Sequence, residues 1–154
     1  FLDSMTKVLL AHGATIDKYM GDCIMAFWNA PLACPNHARL CVDAAQKIEI
    51  EAKKFNKEIL AMGLPGIKVG TGINTGTCIV GNMGSENRFD YSVIGDAVNL
   101  AARLEGQTRN YDCDTLIAEH TVKLLGYENF MIMDEIQVKG KVEKVKIYTY
   151  KSVD

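Results

Sequence analysis

The stretch "IDKYMGDCIMAFW", residues 16–28, joins two strand-like apolar runs around Gly21 and Asp22. Two such runs separated by two residues, with glycine at the first loop position, are typical of a β-hairpin with a tight turn. The pattern therefore predicts Asp22 at the hairpin tip and Lys18 on the first strand. Because both charged side chains belong to one hairpin, the local interpretation is a single site containing both, or an ion pair between them.

Helices are predicted on both sides of this hairpin. Residues 1–11 carry apolar side chains at helical spacing and end at "HG", which is a plausible helix stop. A longer helix is predicted from residue 35 to 62, with Asn36 as a candidate cap and "GLPG" after its end. Its apolar positions predict one core face, made of Cys41, Ala45, Ile48, Ala52, Phe55 and Ile59.

The second half of the chain alternates between strand and helix patterns. "IKVGTGIN" and "TCIVGNM" are predicted as a strand pair, followed by a loop "GSENRFD", a short strand "YSVIG" and a helix from about residue 96 to 105. Strands near 113–118, 130–137 and 144–150 and a short helix near 119–125 complete the chain. This order favours helices packed against a largely antiparallel sheet and excludes a doubly wound parallel sheet.

Composition and charge restrict the class of protein. A chain of 154 residues with 48% hydrophobic and 23% charged residues is the size of one soluble domain with a substantial core. The formal net charge is −2 and no basic run occurs, which gives no support for binding nucleic acid or a membrane surface. We therefore expect small molecules as partners.

Cysteine usage and the chain start bear on location. Five cysteines, an odd number without CxxC spacing, indicate free buried thiols in a reducing, cytoplasmic compartment. Neither a membrane-spanning apolar run nor a signal pattern occurs. The chain begins with Phe1 instead of methionine, so we expect a piece of a longer protein.

Three features could serve a phosphorylated ligand. Asn99 and Arg103 lie four residues apart and share a helix face, which suits a sugar and a phosphate, although a solvated face with a salt bridge has the same pattern. Five glycines in "VGTGINTGTCIVGNMGS" could cradle phosphate or form turns, but match neither GxGxxG nor GxxxxGKS. Lys139 in "VKGKVEK" is either a solvated hairpin lysine or a phosphate ligand.

Three blocks taken in order carry a family resemblance: "GATIDKYMGDCIMAFWNAP", "GTGINTGTCIVGNMGSENRFDYSVIGDAVNLAARLE" and "IQVKGKVEKVKIYTY". Together they resemble the catalytic domain of class III nucleotide cyclases, the adenylate and guanylate cyclases. The resemblance implies an α+β fold with a ferredoxin-like βαββαβ core, a mainly antiparallel sheet and helices packed on it. It also implies that residues 1–154 are a single cyclase catalytic domain, truncated at its N-terminus and missing the first strand and helix.

The resemblance assigns the base-reading and metal-binding residues. Asp22, at the "GD" hairpin tip, is implied to bind two divalent cations, Mg²⁺ or Mn²⁺, for which carboxylate oxygen is a suitable ligand. Lys18 and Ser92 correspond to the pair that reads the purine. The matching pair in guanylate cyclases looks like Glu and Cys, so lysine with a hydroxyl residue is the adenine-type combination, although threonine or aspartate is more usual than serine.

The remaining assignments concern the sugar and the phosphates. By the same resemblance Asn99 orients the ribose, Arg103 stabilises charge at the α-phosphate and Lys139 binds the terminal phosphates. The implied reaction converts ATP to cyclic AMP and pyrophosphate by attack of the ribose 3′-hydroxyl on the α-phosphate. In the implied homodimer with composite sites, one protomer's Lys18 serves one site while its Asp22 serves the other.

The first metal-binding aspartate of the family normally lies upstream, in a segment like "DIRGFT" that these residues do not include. Asp17, Asp90 and Asp96 are available acids, but none lies in the matching motif. We therefore expect the fragment to be inactive alone, with an unpaired strand edge where the first strand is missing.

Two alternatives stay open: a cyclase-like module that binds nucleotide or dimerises without turnover, and a guanylate cyclase. The resemblance also implies an upstream sensor or regulatory domain in the parent protein. That parent is expected in the cytoplasm, or anchored to a membrane with this part on the cytoplasmic side.

Overall fold

The computed structural model describes residues 1–138 and 142–151. The chain divides into two compact units: the first comprises Phe1–Val69 and Ile79–Ile94, the second Gly70–Cys78 and Gly95–Asp154. In chain order the elements are α1 (Leu2–Ala11), β1 (Thr15–Met20), β2 (Cys23–Phe27), α2 (His37–Ala61), β3 (Thr71–Ile73), β4 (Ile79–Ser85), β5 (Arg88–Ile94), α3 (Asp96–Gln107), a 3₁₀ turn (Thr108–Asn110), β6 (Thr115–Ala118), α4 (Glu119–Leu125), β7 (Phe130–Gln137) and β8 (Lys144–Tyr150).

The first unit contains the predicted hairpin and both N-terminal helices. β1 and β2 pair antiparallel around a turn in which Gly21 has φ +62°, a value that favours glycine. Met5 and Leu9 of α1 pack with Ala44 and Ile48 of α2 into a buried cluster. This cluster lies against the half-buried apolar side chains of the hairpin, Ile16, Ile24 and Ala26 together with Trp28.

The predicted core face of α2 is correct at its centre. Ala45, Ile48 and Ala52 are buried, whereas the predicted Cys41, Phe55 and Ile59 are only half-buried. The buried face extends instead to three further positions of the helix: Ala38, Val42 and Ala44. Asn36 is at the N-cap, but its side chain makes no capping hydrogen bond.

The predicted loop over 84–90 is wrong. β4 and β5 form a continuous antiparallel hairpin, from Ile79 opposite Ile94 to Ser85 opposite Arg88, so that only residues 86 and 87 form the turn. Most side chains near this tip are polar and exposed, and the two strands pair through their backbone hydrogen bonds. A composition-based assignment therefore predicts a loop where the backbone forms strands.

The second unit has a four-stranded sheet in the order β3-β6-β8-β7. The predicted pairing of the segments around β3 and β4 is wrong, because β3 pairs in parallel with β6 and β4 pairs with β5. The pairs β6–β8 and β7–β8 are antiparallel, as expected for most of the sheet. The predictions of β6, α4, β7 and β8 are confirmed to within two residues at each end.

Helix α3 packs directly on this sheet. Its Leu100 and Leu104 join Leu116, Ala118, Val145 and Ile147 in a buried cluster. A Cβ on Gly72 would collide with the backbone of Ala101 and Glu105, and one on Gly76 would lie 2.7 Å from the Cβ of Ala97. These glycines of the glycine-rich stretch thus allow close packing against α3.

Burial of a thiol on α2 makes stability depend on pH. Although the Cys41 residue as a whole is half-buried, burial around its thiol raises the pKa of that group from 9.0 to about 12. The unfolded chain therefore releases this proton at a lower pH than the folded chain. The contribution of the thiol to stability is complete below pH 9, and it is lost as the pH rises towards 12. We expect the free energy of unfolding to fall as the pH rises over this interval, and to fall less steeply with pH in Cys41→Ala.

Urea unfolding at pH 8, 9.5 and 10.5 measures this effect. Cys34→Ala is the matched control, because Cys34 is also half-buried but lies outside the helices and strands. A Cys41→Ala variant with the same alkaline slope as the unmodified protein would contradict the prediction.

No helix within residues 1–138 and 142–151 is long and apolar enough to cross a membrane.

Candidate active site

A buried carboxylate lies between the two residues predicted to read the base. The side chain of Asp17 has no solvent exposure, and its Oδ2 accepts hydrogen bonds from Ser92 Oγ at 2.7 Å and from the Val93 backbone N–H at 3.0 Å. Lys18 Nζ lies 3.5 Å from the other oxygen, Oδ1. The first unit therefore brings Lys18 and Ser92, which are far apart in sequence, to the same aspartate.

A β-bulge explains why neighbouring residues share one side of the strand. In β1, Ile16 is opposite Ala26 and Lys18 is opposite Met25, so Asp17 is the extra residue of the bulge. Successive side chains of a regular strand point to opposite faces, and a bulge changes this alternation. Asp17 consequently turns towards β5, where it contacts Ser92 and Val93.

From the sequence, Asp17 is only one of three available acids, and its contacts with both Lys18 and Ser92 are not predicted. A single aspartate inside the apolar run "ATIDKYM" is a signal that a buried carboxylate needs a partner. The partner could not be found from strand alternation, because alternation places Asp17 and Lys18 on opposite faces.

The hairpin tip carries Asp22 in an exposed position, as predicted. Lys18 pairs with Asp17 and not with Asp22, so the simple ion pair suggested by the four-residue spacing is wrong. Among the described residues no group of three or more His, Cys, Asp and Glu side chains is arranged to hold a metal ion. Asp22 still fits as a single ligand, because Mg²⁺ is commonly held by one or two carboxylates together with substrate phosphates and water.

The second unit carries the predicted sugar and phosphate residues on α3. Asn99 and Arg103 are both exposed, and Arg103 Nη1 donates a hydrogen bond to the backbone oxygen of Gln137 at 2.7 Å. This bond orients the guanidinium at the end of β7. Lys139 follows two residues later, outside the described residues.

The surroundings of Arg103 contain a hydrogen-bonded acid. Tyr111 Oη donates to Asp134 Oδ2 at 2.6 Å, which raises the pKa of Tyr111 and lowers that of Asp134. The positive charge of Arg103 opposes the increase in the pKa of Tyr111. The charge of Arg103 thus acts on the Tyr111 hydroxyl, and its described hydrogen bond goes to a backbone carbonyl.

The comparisons identify the class of protein. The family described as "Adenylate and Guanylate cyclase catalytic domain" matches residues 3–152. The chain therefore belongs to this family, the class III nucleotide cyclase catalytic domains, and the predicted membership and α+β fold are confirmed.

Individual relatives include adenylate cyclases. The chain is 41% identical over 161 residues to an adenylate cyclase of Anabaena cylindrica, covering 99% of this chain and 31% of that protein. It is 34% identical to adenylate cyclase 1 of Rhizobium meliloti, covering 96% of this chain and 22% of that protein. The chain thus spans less than a third of the length of either relative.

Two solved structures resemble the whole chain. The adenylyl cyclase CyaB from P. aeruginosa has a TM-score of 0.86 and 34% identity, over 99% of this chain and 79% of that chain. The guanylyl cyclase Cya2 has a TM-score of 0.86 and 31% identity, over 99% of this chain and 77% of that chain. Since the backbone resembles both proteins equally, it does not distinguish adenine from guanine, and the side chains must be considered.

Proposed function

We propose that residues 3–152 form one catalytic domain of an adenylate cyclase, which converts ATP to cyclic AMP and pyrophosphate. The observation that carries this proposal is the convergence of Lys18 and Ser92 on Asp17. An ammonium donor beside a hydroxyl suits the Watson–Crick edge of adenine, which offers an acceptor at N1 and a donor at N6. The adenylate cyclases among the relatives support the same substrate.

The reaction is an intramolecular substitution at phosphorus. The 3′-oxygen of ATP forms a bond to the α-phosphorus, the bond from that phosphorus to the bridging oxygen of the β-phosphate breaks, and the hydroxyl proton leaves. In our assignment Asn99 orients the ribose and Arg103 donates hydrogen bonds to the oxygens on which charge develops. Lys139 is assigned to the terminal phosphates of the leaving group.

Asp22 is the residue that we assign to hold two divalent cations, Mg²⁺ or Mn²⁺. When bound, such cations lower the pKa of the attacking hydroxyl and offset the charge of the triphosphate. The exposed position of Asp22 at the hairpin tip leaves its carboxylate accessible to a cation that arrives with the nucleotide.

We further place the domain in a homodimer with composite sites, within a longer cytoplasmic or membrane-anchored protein that carries a regulatory domain. The β4–β5 hairpin exposes Ile79, Phe89 and Ile94 with 68%, 65% and 51% of their surfaces accessible. Exposed apolar side chains of this kind support an interface with another chain.

The test is a cyclase assay of the full-length protein with ATP and with GTP, each with Mg²⁺ or Mn²⁺. We expect cyclic AMP as the main product. Faster formation of cyclic GMP from GTP would identify a guanylate cyclase instead. Nucleotide binding without cyclic product would identify a binding or dimerisation module.

The base specificity makes a separate prediction. Changing Lys18 to Glu and Ser92 to Cys together should shift the ratio of kcat/KM for ATP over GTP towards GTP by at least about tenfold, because the donor that faces N1 of adenine becomes an acceptor. Both ratios are measured by chromatographic separation of the cyclic products. Lys7→Glu, a charge reversal at an exposed lysine of α1, is the control and should leave the ratio unchanged. An unchanged ATP preference in the double variant would refute the assignment.

A further inference from the structure

We propose that Asp17 is a specificity-determining positioning residue, whose buried carboxylate fixes the hydroxyl of Ser92 as a hydrogen-bond acceptor towards the base. The inference rests on the proposed function only in taking Lys18 and Ser92 as the base-reading residues. Asp17 itself acts through them and does not contact the nucleotide.

The Ser92 hydroxyl carries a single proton. A hydroxyl donates one hydrogen bond and accepts up to two, and it normally rotates to suit its partner. Ser92 Oγ donates to Asp17 Oδ2 at 2.7 Å, and a carboxylate oxygen can only accept. With its proton committed, Ser92 has only lone pairs to offer to a ligand.

The direction of the hydrogen bond that Ser92 can make distinguishes adenine from guanine. Position 6 of adenine carries an amino group, which donates, whereas position 6 of guanine carries a carbonyl oxygen, which accepts. A hydroxyl free to rotate could bind either group. A hydroxyl held by Asp17 binds the amino group and leaves a carbonyl oxygen facing its own lone pairs, which is the unpaired arrangement that gives strong discrimination.

Burial makes this orientation persistent. The side chain of Asp17 has no solvent exposure, and Ser92 retains only 6% of its surface accessible. Because the Asp17 carboxylate is out of contact with water, rotation of the Ser92 hydroxyl would leave a buried oxygen without that hydrogen bond. The Val93 N–H also binds Oδ2 and holds the carboxylate in place.

The second carboxylate oxygen of Asp17, Oδ1, attracts the ammonium of Lys18. Asp17 Oδ1 is buried and has no hydrogen-bond partner among the described residues, and the Lys18 ammonium lies 3.5 Å from it. The attraction restrains the lysine near the serine, but Lys18 is half-exposed and keeps its N–H groups available to a base. One carboxylate therefore aligns a donor and an acceptor side by side.

A purely structural role for Asp17 is the competing explanation, because its hydrogen bonds also join β1 to β5. The two explanations differ in how they affect two nucleotides. ATP and purine riboside triphosphate share N1, ribose and phosphates and differ only in the 6-amino group. The ratio of their dissociation constants therefore reports on the Ser92 hydroxyl, whereas a loosened fold or a displaced Lys18 weakens both equally.

The experiment is competition of the 3′-deoxy form of each nucleotide, which lacks the attacking hydroxyl and cannot cyclise, against a fluorescent 3′-deoxy-ATP analogue on the full-length protein with Mg²⁺. We expect the unmodified protein to bind ATP at least about tenfold more tightly than purine riboside triphosphate, as a buried polar pocket does with a ligand that lacks the matching group. Ser92→Ala should reduce this ratio to within about threefold, because it removes the acceptor of the 6-amino group. Asp17→Ala, which frees the Ser92 proton, should instead tighten binding of inosine triphosphate, which carries a carbonyl oxygen at position 6, by at least about tenfold relative to ATP. The combination of both variants should not show this gain, because the hydroxyl that would donate is then absent.

Asp17→Asn is the conservative variant, because an asparagine carbonyl can still accept from Ser92 and Val93. It should retain most of the ratio while losing affinity for both nucleotides through Lys18. Asp3→Asn, on the exposed side of α1, is the matched control and should change nothing.

Several results would overturn the inference. A ratio near one in the unmodified protein would show that Ser92 does not accept from the amino group, and this outcome needs no folded variant. An equal loss of affinity for all these nucleotides in Asp17→Ala, with a lower melting temperature and no gain of inosine triphosphate relative to ATP, would assign Asp17 a structural role alone. Since binding is measured without turnover, the inference can stand where the cyclase assay fails, and it can fail where cyclic AMP is formed.

Discussion

Replacing Arg103 with alanine is expected to lower kcat for cyclic AMP formation by at least about tenfold, and up to about a thousandfold, with a much smaller change in KM. The reason is the charge that develops on the oxygens of the α-phosphate as the leaving pyrophosphate departs. A guanidinium offers several donors in a fixed plane, and its effect is largest where charge appears only in the transition state. Steady-state kinetics of the full-length protein with ATP and Mg²⁺ measures both constants.

The structure indicates that Arg103→Ala should change activity without disturbing the fold. Arg103 is exposed, and its described hydrogen bond is to the Gln137 carbonyl, so the fold should tolerate the loss of the side chain. Arg103→Lys keeps the charge but loses the planar set of donors, and it should recover only part of kcat. Arg109→Ala, another exposed arginine shortly after α3, is the control and should retain full activity. A change confined to KM would make Arg103 a binding residue for the ground state.

The sequence predicted most of the fold because most elements carry a strong local pattern. The helices α1, α2 and α3 have clear apolar faces, and the hairpin around Gly21 has the turn chemistry of a two-residue loop. The tip of β4–β5 was missed because exposed polar side chains hide a strand that its backbone ladder defines. The parallel pairing of β3 with β6 was missed because it joins segments separated by a helix, and no local pattern reports such a contact.

The candidate site was predicted less completely than the fold: its residues were assigned, but their contacts were not. Lys18, Asp22 and Ser92 were assigned through the family resemblance, because no spacing rule connects residues so distant in sequence. The resemblance paired Lys18 with Ser92, but their shared contact with Asp17 was not predictable, since it depends on a bulge that turns Asp17 out of strand alternation. The glycine-rich stretch was ambiguous from sequence, and the structure assigns Gly72 and Gly76 to close packing on α3.

Replacing Asp22 with asparagine is expected to lower kcat/KM for ATP at least about a hundredfold, and to raise the Mg²⁺ concentration needed for half-maximal activity. The amide keeps the shape of the side chain but loses the charge that binds a hard cation. Asp22 is exposed in a tight turn, where asparagine is as acceptable as aspartate, so the melting temperature should not change. Asp3→Asn, a neutralised exposed acid on α1, is the control for a general loss of negative charge.

Mixing two impaired variants tests whether Lys18 and Asp22 of one hairpin serve different sites. If each site of a homodimer takes Lys18 from one protomer and Asp22 from the other, a dimer of Asp22→Asn with Lys18→Ala has one site with both changes and one site with neither. Random pairing makes half of the dimers mixed, so co-expression should recover about a quarter of the unmodified activity, measured at a low ATP concentration at which each variant alone has little activity. If both side chains served the same site, every mixed dimer would have one defect in each site and no activity would return. Absence of recovery, with mixed dimers demonstrated by differently tagged protomers, would therefore contradict the composite arrangement and place Lys18 and Asp22 at one nucleotide.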